Sequence, residues 1–358
     1  MSEIRVFLVE LDNNKDVYFP GDIVAGNIVL ELYSPMQIQE LNLTFTGEAK
    51  VEWWDICFNV QGESEQYFKQ SVVVLEKDEE RKDGHDVQEG ANKYPFTFEL
   101  PPKLPTSFED SSGHVRYFTE ARLVTNMWHD YIGSSRAITI ISPLDLNEID
   151  NVKVPCEEQV VKNLCGLCCK SGPITGILRL ERTGYIPGET INVNVEFRNM
   201  SRYTCDICVL GIQTVKYPKT SKIKTENCFC RGVDRAIHPG DSETLLDELV
   251  IQPIPPSWLE GCGIISIDYH VQLTVTPDGG SLPFNIKQRI IIGTIPLQSV
   301  VEKYNIEYMN ALSMTPTTKD FPLIFKESKY AVMIHNGLHT FRAKYPYYDW
   351  LKKQSITI

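Results

Sequence analysis

The sequence predicts an all-β protein: two tandem immunoglobulin-like β-sandwich domains followed by a C-terminal tail. Two observations predict this fold. Strand-like segments are separated by turn residues with no long amphipathic helix between them, and one set of motifs occurs twice in the same order. The strand-like segments include RVFLVEL, YPFTFEL and VRYFTEARLVT in the first half and INVNVEFRN, IISIDYHVQLTV and IKQRIIIGTI in the second.

The first repeated motif is a turn that leads into a strand. It contains Pro20 and Gly21 in DVYFPGDIVAGNIVLEL, and Pro187 and Gly188 in TGYIPGETINVNVEFRN. A Pro-Gly pair suits the centre of a tight turn, because proline fixes φ and glycine accepts a positive φ. These four residues are predicted to be structural markers of the repeat.

Two further pairs of segments follow in the same order. FELPPKLPTSFE is echoed by LVIQPIPPSWLE, and Tyr117 in VRYFTEARLV holds the same place as Tyr269 in IDYHVQLTV. Two unrelated β domains could share turn residues, but a shared order of three motifs favours a duplication.

The length of the chain agrees with two domains. It has 358 residues, and a domain of roughly 150 residues can bury a core without disulfides or metals. We predict an N-terminal sandwich at residues 1–150, a linker and cysteine-rich segment at 151–171, a C-terminal sandwich at 172–298 and a tail at 299–358. SPLDLNEIDNVKVP has the character of the linker between the domains.

Composition and charge limit the classes of partner. The formal net charge is −12, which argues against nucleic acid as a partner because a basic face is expected there. No run approaches the ~20 apolar residues of a membrane span, and the N-terminus lacks a basic stretch followed by a long apolar core. We therefore expect a cytoplasmic protein with reduced thiols.

The cysteines leave several interpretations open. Cys165, Cys168 and Cys169 lie in CGLCCKSG, and Cys205 and Cys208 lie in TCDIC. Two such elements could supply four zinc ligands, but CDICVLGI has the pattern of a strand, where successive side chains leave on opposite faces. Buried or linker thiols are the simpler interpretation, and lipidation of Cys168 and Cys169 is a further alternative. No metal is predicted.

A basic segment stands out in this acidic chain. KYPKTSKIKTENCFCRGVDR carries Lys216, Lys219, Lys222, Lys224 and Arg231, which are candidate contacts for an anionic partner such as a phosphorylated or acidic cargo tail, or a lipid headgroup. The alternative is an edge strand that uses lysine to prevent aggregation between sheets.

Motifs for catalysis are absent from the sequence. It contains no G-x-S-x-G, G-x-x-x-x-G-K-[ST], G-x-G-x-x-G or H-E-x-x-H. His335 and His339 in HNGLH are four residues apart, but a glycine lies between them. The prediction is a protein that is not an enzyme and has no cofactor.

Several of these motifs together resemble the alpha-arrestin family. The resemblance rests on LTFTGEAKVEWWD, FELPPKLPTSFE, CCKSGPITGILRLERTGYIPGE, LEGCGIISIDYHV and IIIGTIPL, and covers about residues 6–296. It implies an arrestin fold and a cytosolic adaptor, located peripherally at the plasma membrane and endosomes. Such adaptors connect membrane cargo, including receptors and transporters, to WW-domain ubiquitin ligases, endocytosis and endosomal sorting.

The sequence departs from that family in two places. Many members carry PPxY motifs in the tail, whereas this tail offers only KYPYYDW, with Tyr345, Pro346, Tyr347 and Tyr348 as a candidate partner motif. Direct binding to a WW domain is therefore not predicted. The loop that corresponds to the thioredoxin-binding loop of one family branch has no cysteine, so thioredoxin is not an expected partner.

Two functions remain open at this point. The first is the adaptor for membrane cargo tails. The second is a constitutive scaffold of a trafficking coat, similar to the arrestin-fold subunit of retromer. The tail is too apolar and aromatic to be a solvating polymer, so it either binds a partner or folds back on the domains.

Overall fold

The computed structural model describes residues 3–54, 58–75, 84–125, 130–133, 135–166, 169–218, 224–279, 282–303, 323–328, 334–336 and 339–349. The predicted fold class is confirmed, because almost all regular structure is β. The chain divides into two compact units. The first comprises Met1–Ser142, Leu259–Ile265 and Ala331–Lys344, and the second comprises Pro143–Trp258, Ser266–Tyr330 and Tyr345–Ile358.

The first unit contains a pair of sheets formed by strands from the first part of the chain. These strands are β1 (Ile4–Leu11), β2 (Val17–Tyr18), β3 (Ile23–Leu32), β4 (Met36–Trp54), β5 (Val60–Leu75), β6 (His85–Val87), β7 (Gly90–Glu99), β8 (Phe108–Glu109), β9 (Gly113–Thr125), β10 (Asp130–Ile132) and β11 (Arg136–Ile140), with a 3-10 helix at Asp12–Asn14. One sheet has the order β1-β3-β7. The other has the order β2-β11-β9-β4-β5, with β8 and β10 paired to β9 and β6 paired to β4.

The second unit repeats this arrangement. Its strands are β12 (Cys156–Gly166), β13 (Cys169–Leu180), β14 (Gly184–Tyr185), β15 (Thr190–Asn199), β16 (Cys205–Lys216), β17 (Lys224–Arg231), β18 (Arg235–Ile237), β19 (Ser242–Val250), β20 (Ser266–Pro277) and β21 (Phe284–Ile292). The sheets have the orders β12-β13-β15-β19 and β14-β21-β20-β16-β17, with β18 paired to β16. A 3-10 helix at Leu146–Glu148 precedes these strands, and helix α1 at Gln298–Lys303 follows them.

Buried and exposed side chains alternate along these strands, as expected for strands with one face in the core. In β9, buried residues alternate with more exposed ones along the whole strand, and β20 shows a similar pattern. Successive side chains of a strand point to opposite faces, so one face of each sheet packs into the core and the other meets solvent. Val115, Tyr117 and Leu123 on β9 are almost fully buried.

The equivalence of Tyr117 and Tyr269 is confirmed at the level of single hydrogen bonds. The Tyr117 hydroxyl donates to the Pro105 carbonyl at 2.7 Å, and the Tyr269 hydroxyl donates to the Pro255 carbonyl at 2.7 Å. Each bond ties the proline-rich segment of its repeat to a central strand. The tyrosines thereby satisfy a buried backbone acceptor that no sheet ladder reaches.

A serine in each proline-rich segment makes a second repeated contact. The Ser107 N–H donates to the Ile140 carbonyl at 2.8 Å, and the Ile140 N–H donates to Ser107 Oγ at 2.9 Å. Ser257 and Ile292 make the same two bonds, both at 2.9 Å. The duplication predicted from three sequence motifs therefore extends to matching side-chain hydrogen bonds.

Two segments are more structured than the sequence indicated. The predicted linker buries Leu146 and Val152 completely. The tail, in which no β pattern is visible, contains strands β22 (Leu323–Glu327), β23 (Ile334–Asn336), β24 (His339–Phe341) and β25 (Lys344–Tyr348), in the pairs β22-β25 and β23-β24. Short strands with aromatic residues and little alternation carry a weak sequence signal, because a period of two needs several residues to be recognised.

We expect the two tyrosine hydroxyls to contribute unequally to stability. Tyr117→Phe leaves the Pro105 carbonyl without its donor and should lower the free energy of unfolding by about 1 kcal/mol. Tyr269 also accepts from Gln213 Nε2 at 2.7 Å, so Tyr269→Phe leaves two buried polar groups unsatisfied and should cost about 2–3 kcal/mol. Urea unfolding followed by fluorescence and far-UV circular dichroism measures both values.

The control for that comparison is Tyr33→Phe, because Tyr33 is 66% exposed and should change stability by less than about 0.5 kcal/mol. Equal losses for Tyr117→Phe and Tyr269→Phe would contradict the assigned role of Gln213.

We also expect His114 to make the first unit less stable in mild acid. Burial, with Arg116 and Lys50 nearby, lowers the pKa of His114 to about 3 from its usual 6.5. The unfolded chain therefore binds a proton that the folded chain does not, and stability falls as the pH falls from about 6.5 towards 3. His114→Gln should reduce the slope of unfolding free energy against pH by up to ~1.4 kcal/mol per pH unit in this range. Unfolding curves at pH 7 and pH 5 for both proteins test this, and identical slopes would refute it.

Candidate functional site

The second repeated turn contains a buried ion pair beside an aromatic ring. Arg182 donates to the Glu189 carboxylate at 2.9 and 3.2 Å, and its guanidinium lies 4.2 Å from the centre of the Tyr185 ring. Glu189 also accepts from the Ile186 N–H at 2.9 Å. The arginine, the tyrosine and the carboxylate therefore hold the turn in one conformation.

Burial decides the electrostatics of this turn. The side chains of Arg182 and Glu189 are only 14% and 5% exposed. Burial raises the pKa of Glu189, whereas Arg182 and the Ile186 N–H act to lower it. Removing one member of a buried pair leaves an uncompensated charge, which typically costs about 3–5 kcal/mol, so the pair strongly constrains this turn.

The first repeated turn also combines a cation, a tyrosine ring and a carboxylate, but it is more exposed to solvent. Lys15 pairs with Asp22 at 3.0 Å, its ammonium lies 4.4 Å from the centre of the Tyr18 ring, and Asp22 accepts from the Phe19 N–H at 3.1 Å. Lys15 is 50% exposed. The sequence carries a signal for this arrangement outside the Pro-Gly motif: a cation lies three residues before the tyrosine in both KDVYFPGD and RTGYIPGE.

A segment of the tail lies against the second turn. The Tyr348 N–H donates to the Pro187 carbonyl at 3.1 Å, and the Tyr348 hydroxyl donates to the Thr294 carbonyl at 2.6 Å. A Cβ added to Gly188, whose φ is +102°, would lie 2.5 Å from the Tyr348 carbonyl oxygen. Glycine is thus needed both for the backbone conformation and for the close approach of the tail.

An apolar cluster surrounds Tyr348. Its buried members come from the predicted linker, the second turn, the segment around helix α1 and the tail: Leu146, Val152, Ile186, Leu297, Val300 and Tyr348. Burial, together with the nearby carboxylates of Glu189 and Asp145, raises the pKa of Tyr348. The phenol therefore stays protonated and acts as a hydrogen-bond donor in this cluster.

The candidate tail motif is buried along its length. Tyr345, Pro346, Tyr347 and Tyr348 all lie in the interior of the structure. Lys326 of β22 lies 3.9 Å from the centre of the Tyr347 ring and pairs with Asp349 at 3.0 Å, which adds contacts between the two tail strands. Of the two alternatives for the tail, folding back is the one seen. Binding of this motif to a partner would require its release.

The predicted basic segment is partly neutralised by the protein itself. Lys216 pairs with Asp268 at 2.5 Å, and Arg231 pairs with Asp234 at 2.6 Å. Lys219 and Lys222 lie outside the described residues, as does the side chain of Lys224, whose backbone begins β17. The backbone pairing of β16 with β17 places Lys216 and Lys224 at facing positions.

The described cysteines of TCDIC are core thiols. Cys205 and Cys208 lie on β16, and burial raises their pKa values to about 11 and about 12. Such thiols are protonated at neutral pH and poorly reactive. Cys168 and the side chains of Cys165 and Cys169 lie outside the described residues.

Neither a metal centre nor a membrane span is found in the part of the chain that the structure describes. Among these residues, no group of three or more His, Cys, Asp or Glu side chains is placed to hold a metal ion. Over the same residues, no helix combines the length and the apolar character needed to span a membrane.

Comparison with known proteins gives a consistent result. The family model for "Arrestin (or S-antigen), N-terminal domain" matches residues 7–147, and the one for "Arrestin (or S-antigen), C-terminal domain" matches residues 170–297. Together they account for three quarters of the chain, since 141 and 128 residues make 269 of 358.

Individual relatives are similar over both domains. The chain is 28% identical to Arrestin domain-containing protein 17 of Caenorhabditis elegans over 317 residues, which is 83% of this chain and 72% of that protein. It is 24% identical to human Arrestin domain-containing protein 1 over 278 residues, or 77% of this chain and 62% of that protein. Mouse Arrestin domain-containing protein 4 is 28% identical over 304 residues, or 81% of this chain and 71% of that protein. This homology supports an arrestin-type adaptor role, and the chain belongs to the alpha-arrestin family.

Proposed function

We propose that this protein is an adaptor that links membrane cargo, such as receptors and transporters, to ubiquitination, endocytosis and endosomal sorting. The observation that carries the proposal is the presence of both arrestin domains in order. No enzymatic chemistry is part of the proposal. The protein would act by holding a cargo tail and a sorting component at the same time, at the cytoplasmic face of the plasma membrane or endosomes.

Exposed edge strands of the sheets support a role in binding extended peptide segments. Strands β5, β12 and β19 lie at the ends of their sheets, and much of their length is exposed. An edge strand presents unpaired N–H and C=O groups, which an extended peptide can use by adding itself as a further strand. A cytoplasmic cargo tail is an extended peptide of this kind.

The basic segment would add weak electrostatic attraction for acidic or phosphorylated cargo. Lys216 and Arg231 already have carboxylate partners, so Lys219, Lys222 and Lys224 would supply most of the attraction. Exposed ion pairs contribute only ~0.2–1 kcal/mol each, so useful affinity requires a second contact or clustering on a membrane.

Recruitment of a ubiquitin ligase would not use a PPxY motif, because the sequence has none. Residues 345–348 are buried within the second unit, so any ligase contact with them would follow release of the tail. While the tail stays docked on the second unit, recruitment of the ligase through an intermediate adaptor is the simpler route.

We expect tagged full-length protein, purified from its native cells, to recover membrane receptors or transporters together with a ubiquitin ligase. Lys219→Glu/Lys222→Glu/Lys224→Glu should reduce cargo recovery several-fold, because it reverses the charge of the basic segment, and higher salt should reproduce the loss. Quantitative mass spectrometry of the recovered proteins provides the measurement.

A charge-matched control is Arg5→Glu/Lys153→Glu/Arg202→Glu, which reverses three exposed cations outside the basic segment and outside strands β5, β12 and β19. It should leave cargo recovery unchanged. Recovery of a stoichiometric coat complex, with neither cargo nor ligase, would overturn the adaptor proposal and favour the scaffold.

A further inference from the structure

We propose that the exposed turn of the first repeat, residues 19–23, is a docking surface for an extended partner peptide in which a tyrosine is followed by an acidic residue. The inference does not depend on the adaptor function, because a purified peptide tests it directly. It rests on the internal duplication: the equivalent turn of the second repeat already holds a segment with this chemistry.

The two turns are equivalent at the atoms that matter for docking. In both, a glycine with positive φ follows proline, at +84° for Gly21 and +102° for Gly188. Each glycine N–H donates to a carbonyl of the proline-rich segment, at Pro101 and Ile251 respectively. A peptide approaching residues 19–23 would therefore meet the same backbone geometry that Tyr348 meets in the second unit.

The surroundings of the two turns differ in the way a docking surface requires. Pro187 and Gly188 are buried under the tail, whereas Gly21 is exposed and Pro20 half-buried. Within the described residues, no atom outside Gly21 and its two chain neighbours lies within 4 Å of where a Cβ on Gly21 would be. Ile23 is 62% exposed and adds an apolar contact next to the turn.

Hydrogen-bond acceptors are available at the equivalent positions. The docked tail uses the carbonyls of Pro187 and Thr294, which correspond to Pro20 and Ser142 in the first repeat. No backbone N–H in the described part of the chain donates to the carbonyl of Pro20 or of Ser142. A peptide N–H and a tyrosine hydroxyl could pair with them as Tyr348 does in the second unit.

Charge explains the acidic residue in the proposed partner. In the docked tail Asp349 follows Tyr348 and pairs with Lys326. At the first turn Lys15 is already paired with Asp22, whereas Lys103 is exposed two residues after Pro101, the residue that accepts from the Gly21 N–H. The Lys103 ammonium favours a carboxylate after the tyrosine of the peptide.

The probe for this surface is a fluorescein-labelled peptide of residues 344–349, KYPYYD, titrated with the full-length chain and followed by anisotropy. We expect binding to the wild-type protein. Gly21→Asn should weaken it at least about tenfold, because asparagine tolerates a positive φ while its Cβ occupies the space that the peptide backbone needs. Replacing Tyr348 by phenylalanine in the peptide should weaken binding several-fold, as should Lys103→Glu in the protein.

The matched control is Gly240→Asn. Gly240 also has a positive φ, +88°, and no described atom outside Gly240 and its two chain neighbours lies within 4 Å of where its Cβ would be. It belongs to the second unit, so its substitution should change the affinity less than about twofold. Lys153→Glu is the corresponding control for charge. Circular dichroism and thermal melting establish that each variant is folded.

Three results would overturn the proposal. The first is absence of peptide binding to the wild-type protein. The second is equal binding to the wild type and Gly21→Asn, which would mean that the peptide exchanges with the chain's own tail. The third is dimerisation of the wild-type protein, detected by sedimentation and lost in Gly21→Asn, which would assign the surface to a second copy of the chain.

Discussion

Each unit depends on a turn in which a carboxylate accepts a hydrogen bond from the N–H three residues before it. Asp22 does so for Phe19, and Glu189 for Ile186. In each unit the turn follows a strand of only two residues. This strand pairs in parallel with β11 in the first unit and with β21 in the second. Because so short a ladder has few hydrogen bonds of its own, the fixed turn is what keeps the two-residue strand in register.

The same turn serves two environments because its ion pair differs between the repeats. Lys15 is half exposed, with its ammonium over the Tyr18 ring and paired with Asp22, whereas Arg182 is largely buried and makes two hydrogen bonds with Glu189. A planar guanidinium suits a buried pair better than an ammonium, since it is less strongly hydrated and matches the geometry of a carboxylate. The arginine therefore permits other segments to cover the second turn.

The tail covers the second turn, and this contact gives the aromatic residues of the tail a structural role. A run such as KYPYY in a C-terminal segment has the composition of an exposed recognition motif. Here Tyr348 fills an apolar cluster and donates to Thr294, and Tyr347 stacks under Lys326. The aromatic residues that make the tail look like a ligand are the ones that hold it on its own domain. The duplicated turn, which lies in the open in the first unit, retains the geometry that such a ligand requires.

The all-β class, the duplication and the equivalence of Tyr117 with Tyr269 are readable in the amino-acid sequence, because alternation, turn residues and motif order are local properties. Three features are visible only in the folded chain: which turn is covered, the burial of Leu146 in the linker, and the partial neutralisation of the basic segment by carboxylates such as Asp268. These features depend on contacts between residues that are far apart along the chain. A side chain's burial and its partner across strands follow from how the sheets pack, which no local pattern encodes.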